Sequence, residues 1–313
     1  MKKWLNEKLL CPECIPEEMP LHLNINEEED EDVVEGRLVC SNCGRNYPIQ
    51  KGIAFILPEK SMSVLSNGTG YNSRGMLSAY LWSHFCDFFD DPDATDAYQI
   101  WSAYFKGANG YALDIGCAVG RLSFEMSKTY SHVIGIDTSK TFIGKARELL
   151  VKRRLDFDLI IEGHITERRS CDLDNQWNYD NMEFIVADAL ALPFPKSLFS
   201  AVSSVNILEK VPDPLLHLTE ANRVLREKDS MFLFSDPFSW DESVMDSGLW
   251  LGGKPDGQYK GRGIGNINRI LSDGDGLFDP PLEIIEKKDI AWKIRKTANL
   301  WEYINSQSVV ATR

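Results

Sequence analysis

From Tyr111 onward the chain repeats one pattern: a short apolar run, a turn, an amphipathic stretch, then the next apolar run. The runs at 111–115, 132–136, 182–186, 199–205 and 230–234 predict strands, with helices at 121–130, 141–152 and 213–226 between them. Strands that alternate with helices pair in parallel, because each helix returns the chain to the same end of the sheet. The expected fold is α/β, a Rossmann-like, doubly wound parallel sheet with helices on both faces. Ligands of such sheets sit outside the carboxyl ends of the strands, so the residues just after each strand carry the information.

After the first strand comes Asp114-Ile-Gly116-Cys117-Ala118-Val-Gly120. A dinucleotide loop would read Gly-x-Gly-x-x-Gly and bring a helix N-terminus to a pyrophosphate. Here an acid stands at the loop start, where a cation is welcome and a pyrophosphate is not. A phosphate-binding Gly-Lys-Ser/Thr loop is absent. Asp137, with Thr138 beside it, ends the second strand and suits the two hydroxyls of a ribose. Asp188 and Ala189 end the third, where a carboxylate accepts from an exocyclic amine; Asn206 and Ile207 follow the fourth. A ligand with a ribose, an amine and a positive charge but no phosphate fits this set, and S-adenosylmethionine is such a ligand.

Asp114–Gly120, Asp137, the 188–194 stretch Asp-Ala-Leu-Ala-Leu-Pro-Phe and the 205–214 segment resemble, in order, the motifs of class I S-adenosylmethionine-dependent methyltransferases. The likeness spans about residues 108–236 and implies that fold, cofactor and activity. The family has glycine where this chain has Ala118, a tight substitution if that residue needs a positive φ. A narrower resemblance rests on 116–125, Asp236-Pro-Phe-Ser-Trp240, Leu249-Trp-Leu-Gly-Gly253 and the C-terminal runs 292–297 and 308–312. These are similar to the methyltransferase domain of ovothiol biosynthesis, which methylates a ring nitrogen of 4-mercaptohistidine. Two departures stand out: that domain has no zinc ribbon in front, and residues 151–181 are an insertion.

Cys11-Pro-Glu-Cys14 and Cys40-Ser-Asn-Cys43 are matching Cys-x-x-Cys knuckles. Two such turns brought together make a closed four-thiolate site for a structural zinc, with no open position for catalysis. The acidic run Glu27–Asp32 between them is expected to be a solvated loop, and Gly44 suits the left-handed turn after a knuckle. Residues 8–58, including the Tyr-Pro-Ile ending, resemble the zinc ribbons that partner and activate RNA and protein methyltransferases, and those fused to rRNA guanine methyltransferases. The expected organisation is a zinc ribbon over 1–60, a linker and helical cap over 61–109, and a methyltransferase domain over 110–313.

The remaining cysteines, Cys86, Cys117 and Cys171, are scattered, which suits a reducing, cytoplasmic setting rather than a disulfide framework. No apolar run is long enough to span a membrane, and the N-terminus lacks the apolar core of a signal peptide. A net charge of −13 disfavours a nucleic-acid surface, although basic stretches remain at 145–154 and 287–296. The aromatic-rich stretch 71–105 reads as core packing or as a cap closing over cofactor and substrate.

Methyl transfer needs orientation and dryness more than acid–base help. If a proton must leave, His84, Glu209 and Asp236 are the candidate bases. Asp236-Pro-Phe follows the fifth strand, not the fourth, so the Asn/Asp-Pro-Pro-Tyr motif of amine methyltransferases does not apply. Arg121 is a candidate partner for a substrate carboxylate, and Trp240 and Trp250 for stacking on a ring. The expected partner is a small-molecule substrate. The alternatives are an RNA or protein substrate gripped by the ribbon, or a non-enzymatic scaffold, against which the strand-end residues speak. A basic groove would favour RNA; a closed aromatic pocket would favour a metabolite.

Overall fold

The computed structural model describes residues 1–65, 70–106, 109–272 and 276–313; residues 66–69 of the expected linker and 107–108 of the expected cap lie outside them. The five predicted strands form β5 (Tyr111–Ile115), β6 (His132–Asp137), β9 (Met182–Ala187), β10 (Phe199–Val205) and β11 (Met231–Asp236). Every residue of β9 is buried and so is all of β10 but its last, as strands covered on both faces require. The helices between them are α3 (Arg121–Met126), α4 (Lys140–Lys152) and α5 (Pro214–Val224). Each start has a local cause. Ser139 caps α4 by accepting from Phe142 N at 3.2 Å, and Asp213 caps α5 ahead of Pro214. The helix α3 is shorter than its sequence pattern, ending at Met126.

Before this unit come the ribbon strands β1 (Leu21–Glu29), β2 (Asp32–Cys40), β3 (Asn46–Gln50) and β4 (Ile53–Ile56), then α1 (Arg74–Phe85) and α2 (Ala97–Ser102). The hairpin β7 (Arg154–Glu162) and β8 (Ile165–Asp172) fills the expected insertion, and α6 (Gly263–Ser272), β12 (Glu283–Arg295) and β13 (Trp301–Thr312) close the chain. The acidic run is not a loop: Glu27–Glu29 lie in β1 and Asp32 opens β2 across a tight turn. Alternation of Leu21, Leu23 and Ile25 with polar residues carried the strand through it.

One sheet joins everything except the β7–β8 hairpin, in the order β1-β2-β3-β4-β9-β6-β5-β10-β11-β13-β12. Strand β4 of the ribbon adds in parallel to β9, with Phe55 opposite Val186 and Ile56 opposite Ala187. Beneath that seam Arg147 of α4 pairs with Glu183 of β9 and Asp32 of β2. The chain order reverses between β5 and β10, so their carboxyl ends open the crevice where such sheets bind ligands. The core divides into two layers. One joins the ribbon to α5 and α6; the other holds α1, α2, α3, α4 and β7. Ser78 of α1 bonds the backbone of β7, and Ser83 bonds Lys293 of β12, so α1 is held from two sides. No helix among the described residues is long and apolar enough to cross a membrane.

Candidate functional site

In the ribbon, four sulfurs lie within 4.8 Å of one another, with Cys11–Cys43 at 3.6 Å and Cys14–Cys40 at 3.9 Å. A tetrahedron with Zn–S bonds of about 2.3 Å has edges of about 3.8 Å, so the donor set fits zinc. Asn42 Nδ2 donates to Cys14 Sγ, and Tyr47 Oη lies 3.2 Å from Cys11 Sγ. Gly44 takes φ +73° just after the second knuckle.

A cavity of about 770 Å³ opens at the carboxyl ends of β5, β6, β9 and β10. Of the expected cofactor residues, Asp114, Gly116, Cys117, Ala118, Asp137, Thr138, Asp188, Ala189, Asn206 and Ile207 line it. Gly120 does not; it caps α3 at φ +87°, and a Cβ there would sit 2.7 Å from Phe184. Gly116 N and Cys117 N both donate to Ile136 O at 2.9 Å, which folds the loop back onto β6. Ala118 takes φ +48°, the left-handed conformation that an alanine adopts at a cost of about 1 kcal/mol. Its N–H donates to Asp137 Oδ2 at 3.0 Å, and Ser139 N donates to Oδ1 at 2.7 Å. The strained residue is thereby tied to the acid that ends β6.

The three acids differ. Asp114 accepts from Ser123 at 2.6 Å and Ser203 at 2.8 Å, so it braces the loop rather than standing free for a cation. Burial pushes its pKa up. Burial also pushes Asp137 up to about 6, so it is ionised above that pH. Asp188 accepts from Leu190 N at 2.8 Å and from the hydroxyl of Ser61, which crosses from the segment after the ribbon.

His84 lines the cavity, and its Nε2 lies 2.7 Å from the Tyr98 hydroxyl. Burial, and after it the positive charge of Arg121, carries its pKa down to about 3. The imidazole is therefore neutral and a poor base. Glu209 and Asp236 do not line the cavity. Glu209 is bound by Lys210 Nζ at 2.7 Å and by Ser239 N, and burial beside Glu209 pushes Asp236 up to about 8.

Arg121 corrects the expectation of a substrate contact. Only 2% exposed, it forks onto Asp87 at 2.6 and 2.8 Å, reaches Glu125 at 3.0 Å and donates to the His84 carbonyl at 2.9 Å. Every donor it has faces protein, so it straps the cap to α3. Trp240 and Trp250 also lie outside the cavity walls and stack on each other, 6.1 Å apart and 15° from parallel. The aromatic lining comes instead from Tyr71, Tyr80, Tyr98, Phe142 and Trp292. Helical spacing in 71–105 carried the signal for the cap residues but could not separate Tyr80 and Tyr98 from core neighbours such as Trp82 and Trp101. Trp292 had no local signal; strand pairing delivers it.

Residues 113–233 match the family model for a methyltransferase domain, and residues 5–52 match that of the Trm112p-like proteins. An uncharacterized chloroplastic methyltransferase of Arabidopsis thaliana is 30% identical over 156 residues, covering 49% of this chain and 37% of that protein. A ubiquinone/menaquinone biosynthesis C-methyltransferase of Brucella canis is 28% identical over 134 residues, covering 42% and 41%. The chain thus spans about two fifths of the length of the curated relatives it matches. Among solved structures, the complex of the Haloferax volcanii Trm112 methyltransferase activator with its methyltransferase superposes with a TM-score of 0.46 at 14% identity, covering 77% of this chain and 95% of that one. The chain carries a Rossmann-like methyltransferase domain behind a Trm112p-like zinc-ribbon module.

Proposed function

We propose that this protein is an S-adenosylmethionine-dependent methyltransferase acting on a nitrogen or sulfur of a small imidazole or thiol metabolite, such as a mercaptohistidine-like compound. One observation carries the reading: a single cavity combines the strand-end loop and acids with an aromatic lining from the cap and the C-terminal hairpin. Asp137 would hold the ribose, Asp188 the exocyclic amine, and the Gly116–Ala118 backbone the amino-acid end. When bound, the cofactor supplies an electrophilic methyl on a sulfonium. The chain orients the acceptor and excludes water. Among the described lining residues the one imidazole, His84, is neutral and a poor base, which suits a neutral ring nitrogen or a preformed thiolate as nucleophile. A cytoplasmic setting belongs to the same proposal, supported by a four-thiol site that needs reduced cysteines.

A macromolecular acceptor is the second reading, favoured by the Trm112p-like match over residues 5–52. Against it, the only lysines or arginines among the described lining residues are Lys60 and Lys210, and Lys210 is paired with Glu209. Labelled S-adenosylmethionine offered with 4-mercaptohistidine and related imidazoles, beside bulk RNA and protein extract, decides between them. Label is expected on the imidazole; label on RNA or protein would overturn the small-molecule reading. No cofactor binding by calorimetry would sink both.

A further inference from the structure

The chain that leaves the ribbon walls part of the cavity. Strand β4 ends at Ile56, opposite Ala187, the last residue of β9, and Asp188 follows Ala187. The chain passes through buried Leu57 to Pro58, and Ser61 N donates to Pro58 O at 2.9 Å, opening a short helical turn over Glu59–Leu65. This strap is pinned at its start. Glu59 N donates to Glu13 Oε1 at 2.5 Å, and Arg45 pairs with Glu59 at 2.8 Å. Glu13 lies inside the first cysteine knuckle, and Arg45 lies just past the second. Lys60, Ser61 and Ser63 of the strap stand in the cavity wall.

The strap has little packing of its own: Met62, next to Ser61, is 46% exposed. Ser61 instead turns its hydroxyl inward and donates to Asp188 Oδ2. Asp188 is buried and lines the cavity. Two donors hold its carboxylate, the Ser61 hydroxyl on one oxygen and Leu190 N, at 2.8 Å, on the other. A carboxylate accepts about four hydrogen bonds, so each oxygen keeps a lone pair for a ligand. The Leu190 bond is local, from two residues further along the same loop. The Ser61 bond crosses 127 positions and sets the carboxylate against a separate element.

We infer that Ser61 is a positioning residue for the cofactor: it fixes the Asp188 carboxylate so that its free lone pairs meet an exocyclic amine, and so makes the site select adenine over hypoxanthine. This rests on the methyltransferase reading and adds to it a residue that lies outside both family matches, 5–52 and 113–233. A purine with a carbonyl in place of the amine sets acceptor against acceptor. A carboxylate held on both oxygens cannot turn away from that clash. Without the Ser61 hydroxyl the carboxylate keeps one donor and swings. The amine then loses its aligned partner, and the carbonyl loses its clash.

The test is calorimetry on the full chain with S-adenosylhomocysteine and S-inosylhomocysteine, which differ only in amine against carbonyl on the purine and the ring proton that goes with it. Wild type should prefer the amine about a hundredfold, for a lost hydrogen bond and an unpaired acceptor together. Ser61→Ala should weaken S-adenosylhomocysteine about tenfold and leave S-inosylhomocysteine within about twofold, so the preference narrows to about tenfold. Ser61→Thr keeps the hydroxyl and should stay within about threefold of wild type for both, which separates the contact from folding. Equal weakening of both ligands in Ser61→Ala would make Ser61 a structural brace and overturn the inference. An unchanged preference in Ser61→Ala, a narrowed preference in Ser61→Thr, or a wild type indifferent between the two ligands would overturn it as well. A wild type that binds neither ligand would remove the methyltransferase reading itself.

Discussion

Arg121→Met tests how the cap is held over the cofactor loop. Methionine keeps much of the apolar volume beside Phe85, Phe88 and Trp177, whose rings lie 4.8–5.7 Å from the guanidinium. It removes the fork onto Asp87, the bond to Glu125 and the bond to the His84 carbonyl. Breaking a buried ion pair from one side costs about 3–5 kcal/mol, because the partner charge stays behind. Asp87 and Glu125 retain some water, at 14% and 11% exposure, so about 3 kcal/mol is expected. At roughly 2–4 °C per kcal/mol for a chain of this class, Tm should fall by about 6–12 °C. Arg121→Lys keeps the charge but cannot fork, and should lose about half as much. Adding Asp87→Asn to Arg121→Met removes one stranded carboxylate and should recover about 1 kcal/mol. Scanning calorimetry of the four proteins reads the Tm values. S-adenosylhomocysteine affinity should fall in the methionine variant, because Arg121 opens α3 directly after the loop. A Tm change under about 2 °C, or a double variant less stable than Arg121→Met alone, would refute the account.

Asp236 makes stability pH-dependent. Its folded pKa, raised to about 8 from 3.8, favours the protonated form, so its contribution is complete below about pH 4 and is lost as pH rises through 8. Tm of the wild type should therefore drop between pH 5 and 8.5 more than that of Asp236→Asn; parallel curves would contradict this. In Gly120→Ala the new Cβ lands 2.7 Å from Phe184 at φ +87°, which should lower Tm and abolish S-adenosylhomocysteine binding by calorimetry. Cys14→Ser should lower zinc content by elemental analysis from about one per chain and reduce Tm, since metal and ribbon fold together. Unchanged metal content would mean that the four thiols do not form the site.

The strand ends were readable because their signals are local. An apolar run followed by Asp, Gly or Asn marks a strand end whatever the rest of the chain does, and the sheet then gathers Asp137, Asp188 and Asn206 at one edge. The cysteine knuckles were readable for the same reason. The surroundings of Arg121, Trp240 and Trp250 are not legible locally, because sequence proximity to a motif says nothing about what fills a side chain's donors. Arg121 sits one residue past the loop, yet Asp87 and Glu125 reach it first. The acidic stretch is strand in β1 and β2 because its carboxylates face water while the backbone pairs across the hairpin.

The ribbon, the parallel sheet, the four-cysteine set and the loop and acids at the strand ends are legible in the sequence alone, since each rests on periodicity or on spacing within a few residues. That the ribbon's β4 extends the sheet at β9, that Ser61 crosses to Asp188, and that His84, Tyr98 and Trp292 line one cavity follows from the three-dimensional packing alone. Each of those relations joins residues that lie more than 120 positions apart in the chain. Such pairs meet through strand register and buried packing, which no local pattern encodes.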